Sequence, residues 1–560
     1  MAHHTALTYH PMHMHLHAAC DHGASMALHM HNARSLGMNY IWFTDHDTRT
    51  GRKKYPVTGF TFDTPQLMKE DPSGGSHGFL TEDEKLRWTI DPETQSLHLC
   101  LDADNCADWT EGAITFYSSG TRHTSPLSAE VTLKIALSDF FHSDDIRIIF
   151  DVRLSQRPPD CQKAHLLYVL GNPQGLEAPH TQIIPLTSAG QLCMPLSEDA
   201  SENPQIGGRD NAFDTLTIRL QCKNGAHAAA LLRNFQIHTR YHFEDAHREL
   251  KKTAAIAGVP YGITPFVSFE LSGAGEHKNC YGTHVPTLDY YQKNYSIPVW
   301  EAVSHIKSHG GIFAINHPFA IGSLKRKNFS PVERMQVLSQ MQASLTANSA
   351  YGAHLMEVGF PEGRNGFSLE EYLLLWDMLS QSGVFLTGYG SSDSHRDNIG
   401  WFSGNNFATW IGVPEDLAHP IPEAAFLDAM KAGRVYTGDP VLFRGTASFR
   451  TTDGHPMGSV FLTESTSCVN LIFTATQVRP GWTFRLIENG RPCCTREIQD
   501  DTFTWESCLT AGITSVNFQR AELWDETGRC VLITNPIYLI HTRLFTGVLP
   551  CHRIPEEENK

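Results

Sequence analysis

Short polar strings that directly follow predicted strands constrain this chain more than any other feature. His15-Leu16-His17 lies near the start of the sequence and Asp393-Ser394-His395 lies far along it. Three further strings come between them: Thr44-Asp45-His46-Asp47, Glu270 with His277, and Asn316-His317-Pro318. Most of these strings follow a run of β-branched or aromatic residues, which predicts a strand. The sequence therefore predicts that the polar ends of successive strands meet at one edge of a sheet or barrel.

The side chains in these strings are imidazoles and carboxylates with the spacing of metal ligands. Because side chains alternate along a strand, His15 and His17 point to one side, although His13 and His15 offer an overlapping register. Asp393 can join such a pair on one ion, and Glu270 can bridge two ions. The further candidate ligands are His46, His277, His317 and His395. Imidazole and carboxylate without thiolate favour Zn²⁺, Fe²⁺ or Mn²⁺ over Ca²⁺. Histidines outside the strings, such as His29, are expected to have no role in the site.

The predicted pattern of strands and helices changes several times along the chain. Strand and helix patterns alternate over residues 9–47 and resume near 244, which is typical of an α/β fold. Between these stretches, short strands are separated by Gly, Pro, Asp and Ser clusters, as in an all-β sandwich or jelly roll. We predict a barrel in two parts with an insertion, followed by a C-terminal β-sandwich and a tail. The boundaries are 1–57 and 244–440 for the barrel, 58–243 for the insertion, 441–545 for the sandwich and 546–560 for the tail.

Several local signals predict individual elements. A helix over 25–36 would have Ser25 as N-cap and Gly37 just past its end. Ser368 and Glu371 form a capping-box pattern at the start of a second helix. A strand is predicted over 384–387, ahead of Asp393, and Asn489-Gly490 predicts a hairpin turn. The insertion would follow Asp47 on the side of the polar strings, where it would either cover the site or be an inert decoration.

The composition excludes several classes of partner. The 560 residues carry a formal net charge of −16, so a nucleic-acid or anionic-membrane partner is not expected. No apolar run is long enough to span a bilayer. The first ten residues lack the basic and apolar regions of a signal peptide, which favours a cytoplasmic location. The 13 cysteines are scattered, and we expect mostly free thiols.

The five strings, in this order, resemble the polymerase-and-histidinol-phosphatase (PHP) superfamily of metal-dependent hydrolases. The match covers residues 9–50 and 244–440. Three C-terminal strings, at 433–440, 520–524 and 534–539, are similar to the carbaryl-hydrolase-like branch. The resemblance implies a distorted (β/α)₇ PHP barrel that holds two or three divalent ions, Zn, Mn or Fe.

Carried over residue by residue, the resemblance implies three metal positions. The first uses His15, His17, Glu270 and Asp393, the second shares Glu270 and adds His277 and His317, and the third uses His46 and His395, with His22. The family usually has Ser-Asp-Gly where this chain has Asp21-His22-Gly23, so either His22 or Asp21 takes the acidic position. Asp45 and Asp47 would orient imidazoles from outside the ligand set.

These observations predict a hydrolase that acts on a small-molecule ester. Adjacent divalent ions lower the pKa of a bound water, so that metal-bound hydroxide can attack, and they stabilise the developing oxyanion. The candidate catalytic residues are Asp393, His317 and His46. Arg49 and Arg396 either hold an anionic substrate or are ordinary surface arginines. The resemblance favours a phosphoester, with a carboxylic or carbamate ester as the alternative. A non-catalytic carbohydrate-binding protein, with glycan contact through the insertion, is the rival of another class.

Overall fold

The computed structural model shows a chain that is predominantly β: of the residues that it describes, 44% are in strands and 20% in helices. It describes residues 6–18, 24–47, 57–60, 68–70, 76–80, 83–118, 125–126, 130–160, 162–203, 206, 210–240, 243–272, 277–288, 297–319, 329–359, 367–395, 401–402 and 406–555.

The described residues contain seven α-helices: α1 (Met26–Ser35), α2 (Leu196–Ser201), α3 (Phe243–Gly258), α4 (Val299–Ser308), α5 (Pro331–Ala347), α6 (Leu369–Gln381) and α7 (Glu423–Lys431). Single 3₁₀ turns cover Val259–Tyr261, Ser349–Gly352 and Cys551–Arg553. The predicted N-cap of α1 is confirmed, since the Ser25 side chain accepts a hydrogen bond from Leu28 N. The capping box of α6 is also confirmed. Helix α5 was not predicted, although Ser330 and Glu333 form a second capping box at its start.

The strands of the first half are β1 (Leu7–Leu16), β2 (Tyr40–Phe43), β3 (Val57–Phe60), β4 (Met68–Glu70), β5 (Ser76–Leu80), β6 (Arg87–Asp91), β7 (Ser96–Asp102), β8 (Thr110–Ser118), β9 (Ser125–Pro126), β10 (Glu130–Ser138), β11 (Ile146–Arg157), β12 (Gln162–Leu170), β13 (Thr181–Pro185), β14 (Gly190–Met194), β15 (Ala212–Cys222) and β16 (His227–Arg240).

The strands of the second half are β17 (Thr264–Val267), β18 (Phe269–Leu271), β19 (Lys278–Tyr281), β20 (Ile312–Ile315), β21 (Leu355–Gly359), β22 (Thr387–Gly390), β23 (Ala408–Pro414), β24 (Val435–Gly438), β25 (Ala447–Thr451), β26 (Val460–Thr463), β27 (Cys468–Thr476), β28 (Thr483–Glu488), β29 (Arg491–Glu497), β30 (Thr502–Thr510), β31 (Val516–Trp524), β32 (Cys530–Thr534) and β33 (Ile537–His541). Strand β22 starts at the residue where the predicted strand over 384–387 was expected to end.

Two open sheets bring the polar strings together. An 11-stranded sheet runs in the order β17-β2-β1-β23-β24-β32-β31-β28-β29, with β33 on β31 and β26 on β33. A five-stranded sheet runs in the order β18-β19-β20-β21-β22. Strands β17 and β18 are consecutive in the chain and separated only by Ser268, so the chain passes from one sheet to the other there.

The predicted (β/α)₇ PHP barrel is wrong, because the described strands do not close into a barrel. Strand β1 pairs antiparallel with β23, and β18, β19 and β20 pair antiparallel in turn, whereas a (β/α) barrel needs parallel strands joined by helices. Strand β24 pairs onward with β32, so the C-terminal strands extend this sheet. Between β22 and β23, the Thr409 hydroxyl contacts the backbone N and O of Gly390, 3.0 and 2.8 Å away, in place of a strand ladder.

Residues 57–240 form two sheets that face each other. One has the order β14-β10-β16-β7-β6 with β3 on β16, and the other β13-β12-β11-β15-β8-β5-β4 with β9 on β15. Alternate side chains of β10 and β11, such as Leu133, Ile135, Phe150 and Val152, point into a shared apolar core. A separate core lies between the 11-stranded sheet, helices α1 and α3, and the three-stranded sheet β25-β27-β30. The domain boundaries proposed from the sequence stay predictions.

The inserted sheets dock on the first turn of α1. Both carboxylate oxygens of Asp210 accept hydrogen bonds from backbone amides of α1, each 2.7 Å long, at Met26 and Ala27. Ser25 N donates to Gln156 O at 3.3 Å in the same contact. A carboxylate at this position satisfies otherwise unpaired N–H groups and favours the helix dipole. The two sheets of residues 57–240 are therefore held against helix α1, which follows the strand that contains His15.

Two expectations from composition can be compared with the structure. The eleven cysteines among the described residues are all free, as predicted for most of them. Among the same residues, no helix has the length and apolar character that a membrane span requires.

Candidate metal centre

The candidate ligands come from the ends of strands in both open sheets. His15 lies in β1 and His17 directly after it, Glu270 lies in β18, and His277 immediately precedes β19. His46, His317, Asp393 and His395 follow β2, β20 and β22 within a few residues. Isolated bridges join Leu16 to Ser394 and His46 to Glu270. These backbone contacts bring strings that are distant in the chain to one place.

The side chains form three overlapping groups of metal-ligating atoms. Within each group, one ligand atom per residue lies within 4.8 Å of the others. The groups are His15, His17 and Asp393; His46, Glu270 and His277; and His17, His46 and His395. The structure therefore brings together all of the predicted ligands that it describes except His317, which lies just outside these groups.

The first group surrounds the two imidazoles of the His-x-His string. The Nε2 atoms of His15 and His17 are 3.1 Å apart. Asp393 Oδ1 lies 3.0 Å from His17 Nε2 and 3.4 Å from His15 Nε2, and Glu270 Oε1 lies 3.5 Å from His15 Nε2. His13, the member of the overlapping register, lies elsewhere: its Nε2 is 2.7 Å from Ser392 Oγ. The structure therefore places His15 and His17, and not His13, in the cluster.

The other two groups share His46. Its Nε2 lies 3.1 Å from Glu270 Oε2, and His277 Nδ1 lies 3.1 Å from Glu270 Oε1. His46 Nδ1 lies 3.1 Å from His17 Nδ1, and the rings of His17 and His395 stack with their centroids 4.0 Å apart. His46 therefore lies beside Glu270, in the second metal position, for which the resemblance implies His317. His317 Nε2 is 3.6 Å from Glu270 Oε1.

These spacings fit divalent cations. Ligand atoms about 2.1 Å from one ion lie roughly 3.0–3.4 Å from one another, and most of the distances above fall near that range. Glu270 and Glu357 are fully buried, and no lysine or arginine among the described residues pairs with either carboxylate. The Oε2 atom of Glu270 is buried and accepts no hydrogen bond of good geometry, although His46 Nε2 lies 3.1 Å away. Buried charge requires compensation, and bound cations would supply it here.

The same carboxylates control the ionisation of the imidazoles. Burial alone would raise the pKa of Glu270, but the surrounding imidazoles outweigh it and hold that pKa well below its ordinary value. Burial opposes a charge on His15, yet the neighbouring carboxylates raise its pKa well above the usual value. Burial, with His46 adding to it, lowers the pKa of His17 to about 4. The cluster therefore contains ionised carboxylates beside a neutral His17, which suits metal ligation.

Glu357 is the residue of the site that the sequence analysis missed. It lies in β21, accepts a 2.6 Å hydrogen bond from His15 Nδ1, and accepts a second one from the backbone N of His317, also at 2.6 Å. Ser391 Oγ and Tyr389 OH also donate to it, at 2.6 and 3.1 Å. This bond holds the Nδ1 proton in place, so the Nε2 proton is the one that a cation would displace on binding. A carboxylate inside an apolar strand, Leu355-Met356-Glu357-Val358, was the signal that could have revealed it.

Other polar contacts hold the ligand-bearing segments in place. Trp401 Nε1 donates to His29 Nδ1 at 3.0 Å, so His29 Nε2 donates to the carbonyl of His17, also at 3.0 Å. His29 was expected to have no role, and its imidazole instead supports the backbone of a ligand. Asp45 accepts from Ala18 N at 2.7 Å and Asp47 from Ser272 N at 3.1 Å. These bonds fasten the backbone around the cluster, while the predicted orienting role of both aspartates stays a prediction.

Asp393 has an unusual backbone conformation. Its φ of 50° lies in the left-handed region, which few non-glycine residues adopt and in which asparagine and aspartate are among the better tolerated. Such backbone strain is concentrated at functional sites. The conformation places the carboxylate beside the His-x-His pair while His395 Nδ1 remains 2.8 Å from the Asp393 carbonyl.

Four residues singled out from the sequence lie outside the described residues: Asp21, His22, Arg49 and Arg396. Their predicted contributions to a third metal position and to substrate binding therefore stay predictions.

Comparisons with known proteins give only distant similarities. No family model and no curated protein matches the chain. Among solved structures, it is similar to a two-domain protein of Bacteroides vulgatus that contains a predicted PHP-like metal-dependent phosphoesterase, with 12% identity, 52% of this chain and 80% of that chain covered, and a TM-score of 0.25.

Two carbohydrate-related structures are similar to a smaller part of the chain. One is an endoglucanase of Rhodothermus marinus (11% identity, 33% of this chain and 98% of that chain, TM-score 0.23). The other is a family 30 carbohydrate-binding module of Clostridium thermocellum (12%, 34% and 95%, TM-score 0.17). TM-scores this low establish neither a shared fold nor an activity.

Proposed function

We propose that the protein is a metal-dependent hydrolase that binds two or three divalent cations, Zn, Mn or Fe, and cleaves an ester bond. The observation that carries this proposal is the set of three ligand groups that share His17 and His46. Structural metal sites are closed and usually rich in cysteine, whereas this set mixes imidazole and carboxylate from distant strand ends. When bound, adjacent divalent cations activate water at neutral pH and stabilise the oxyanion that develops during ester cleavage.

The chain's own residues would divide the work among them. His15, His17 and Asp393 would hold one cation, His46, Glu270 and His277 a second, and His395 would complete a third position. Glu357 keeps the proton on His15 Nδ1, so that Nε2 faces the cluster. His317 Nε2 lies 3.9 Å from Asp393 Oδ2, farther than the ligand pairs, and from there it can bind a cation or exchange a proton with a leaving group.

Within this class we favour a phosphoester substrate. The support is the ordered resemblance of the five strings to the PHP superfamily. The three C-terminal strings that are similar to the carbaryl-hydrolase-like branch support the alternative, a carboxylic or carbamate ester. Both reactions require a polarised electrophile and an activated water, so the ligand set alone does not choose between them.

Metal content and turnover test the class and the substrate together. Protein purified without chelator is analysed by inductively coupled plasma mass spectrometry and assayed on p-nitrophenyl phosphate, bis-p-nitrophenyl phosphate and 1-naphthyl N-methylcarbamate. We expect two to three Zn, Fe or Mn ions per chain and turnover that EDTA abolishes. Preferred turnover of the carbamate would replace the phosphoester proposal. Protein that takes up no metal after reconstitution would refute the hydrolase.

A single carboxylate substitution tests the assignment of the centre. Asp393→Asn keeps the shape of the side chain but removes the charge next to His15 and His17, so most of the turnover should be lost while the fold persists. The matched control is Asp453→Asn, whose side chain is 68% exposed. Wild-type turnover in Asp393→Asn with full metal content would show that the centre is assigned wrongly.

We propose further that the insertion contacts a glycan. The outer face of the sheet formed by β11, β12 and β15 carries a cavity of about 590 Å³ lined by Asp151, His165, Arg219 and Gln221. Carboxylate, imidazole, guanidinium and amide groups on one face can hydrogen-bond several hydroxyls. Glycan-array binding that Arg219→Ala abolishes would support the contact. Binding that this change leaves intact would place any glycan elsewhere.

A further inference from the structure

A second cavity lies at the opposite end of β1 from the metal centre. It has a volume of about 810 Å³, within the range of small-molecule sites. Its lining includes Tyr9 of β1, Arg434, which precedes β24, and residues of β25 and β27 from the three-stranded sheet β25-β27-β30. Thr446, Ser448 and Arg450 alternate with the core residues Ala447 and Phe449, so these three side chains share the outer face of that sheet.

Arg434 brings a cation to this cavity without a carboxylate partner. Among the described residues, its side chain forms neither an ion pair nor a hydrogen bond, and its Nε atom is buried and unsatisfied. Burial lowers the pKa of Arg434, while Tyr9 and Asp428 oppose that effect from beyond ion-pair distance. A buried Nε–H group without a partner is costly, and an oxygen of a bound anion would remove that cost.

The rest of the lining is suited to an anion. Arg450 also faces the cavity, and within the described part of the chain its guanidinium forms a single hydrogen bond, of 3.3 Å, to the carbonyl of Thr451. Ser448 and Thr474, which are directly opposite each other on β25 and β27, add hydroxyl donors. No aspartate or glutamate is found among the described residues of the lining. In a chain with a net charge of −16, a cavity lined by two arginines and no carboxylate is unusual because its local charge is positive.

We propose that this cavity binds a phosphate-bearing small molecule, with Arg434 and Arg450 on its oxyanion and the hydroxyls of Ser448 and Thr474 as further donors. Arginine presents a planar fork of N–H groups that matches two oxygens of a phosphate group. Several donors around one cavity suit a tetrahedral oxyanion, which has acceptor oxygens in several directions.

This site is separate from the metal centre. Tyr9 lies six residues before His15 on the same strand, which corresponds to about 20 Å at the usual rise per residue. The lining residues include none of the candidate metal ligands. The proposal therefore does not depend on the proposed hydrolase, and the two can fail independently.

Calorimetric titration of metal-stripped protein tests the site. EDTA-treated full-length chain is titrated with inorganic phosphate at fixed ionic strength, with chloride as the reference anion. We expect saturable binding that weakens by at least about tenfold in both Arg434→Gln and Arg450→Gln, because each removes a charge-assisted hydrogen bond. The matched control is Arg543→Gln, which removes one charge from a surface pair with Glu464 and should bind like wild type.

Two results would overturn the proposed phosphate site: no phosphate binding in wild type, or unchanged binding in both cavity variants. Circular dichroism verifies that the variants are folded. Because Arg450 lies on a partly exposed sheet face, Arg450→Gln keeps the test valid if Arg434→Gln does not fold. The same titration with p-nitrophenyl phosphate then distinguishes an organic phosphate from free phosphate as the ligand. Metal-stripped protein cannot turn this compound over if the proposed centre is correct. Tighter binding than that of inorganic phosphate identifies an organic phosphate, and weaker binding identifies free phosphate.

Discussion

Glu357→Gln should weaken metal binding without unfolding the protein. Glutamine has nearly the same shape as glutamate, but one of its two terminal atoms donates hydrogen bonds and cannot accept them. The carboxylate accepts from His15, Ser391 and Tyr389 through Oε1 and from the His317 backbone through Oε2. Whichever way the amide is turned, its NH₂ group faces a donor. The His15 ring also loses the charge that holds its proton on Nδ1.

The size of the effect follows from these contacts. A hydrogen bond to a buried charged group contributes about 1.5–3 kcal/mol, and at least one such bond is lost. That corresponds to roughly 10- to 100-fold weaker metal binding, the range typical of residues that orient metal ligands from outside the coordination shell. Because the ligands themselves remain, saturating metal should restore most of kcat.

Competition with a chromogenic chelator measures the metal affinity, and kcat/KM at limiting and saturating metal measures the consequence. Glu464→Gln is the matched control, since Glu464 is 69% exposed and distant from the cluster in the chain. A folded Glu357→Gln variant that retains wild-type metal affinity would refute the assigned role of Glu357. Activity that stays low at saturating metal would instead indicate that Glu357 acts in the reaction itself.

Three further predictions concern stability, each measured by urea unfolding. Burial lowers the pKa of His247 to about 3, so below pH 6.5 the folded chain binds fewer protons at this residue than the unfolded chain does, and the free energy of unfolding falls as the pH falls. Between pH 7 and pH 4, His247→Phe should reduce this fall in the free energy of unfolding by about 3 kcal/mol. A pH dependence that the substitution leaves unchanged would contradict this reasoning. Asp210→Ala should cost about 1–2 kcal/mol, because two N–H groups of α1 lose their acceptor; no loss would mean that the docking contact is not stabilising. Arg520→Ala should cost about 3–5 kcal/mol, because it leaves Asp377 buried without its bidentate partner; a cost below about 1 kcal/mol would contradict that reasoning.

Local elements could be predicted because their hydrogen bonds close within a few residues. The Ser25 cap and the Ser368/Glu371 box each satisfy amides in the turn that follows them. The Asn489-Gly490 turn is also confirmed, with both residues at positive φ between β28 and β29. The pattern could not place β22 correctly, because Val384 and Phe385 are apolar for reasons of packing and Phe385 contacts Tyr538 from a distant strand.

The chemistry of the candidate centre was also determined locally. Imidazoles and carboxylates directly after predicted strands can be recognised as candidate metal ligands from residue type and spacing alone. How they group could not be read in this way, because it depends on which strands are neighbours. The structure puts His46 beside Glu270 and places His17 between two groups, and both contacts join residues distant in the chain.

The sequence by itself determined that the chain carries imidazoles and carboxylates, the candidate metal ligands, at strand ends and an all-β stretch after Asp47. Only the tertiary structure decided that the strands form open sheets and not a barrel, since antiparallel pairing of β1 with β23 and onward pairing of β24 with β32 are choices between distant partners. It also decided that Glu357 supports His15 and that Arg434 remains unpaired among the described residues. Such contacts depend on packing between segments that are far apart in the chain, and local propensity does not specify that packing.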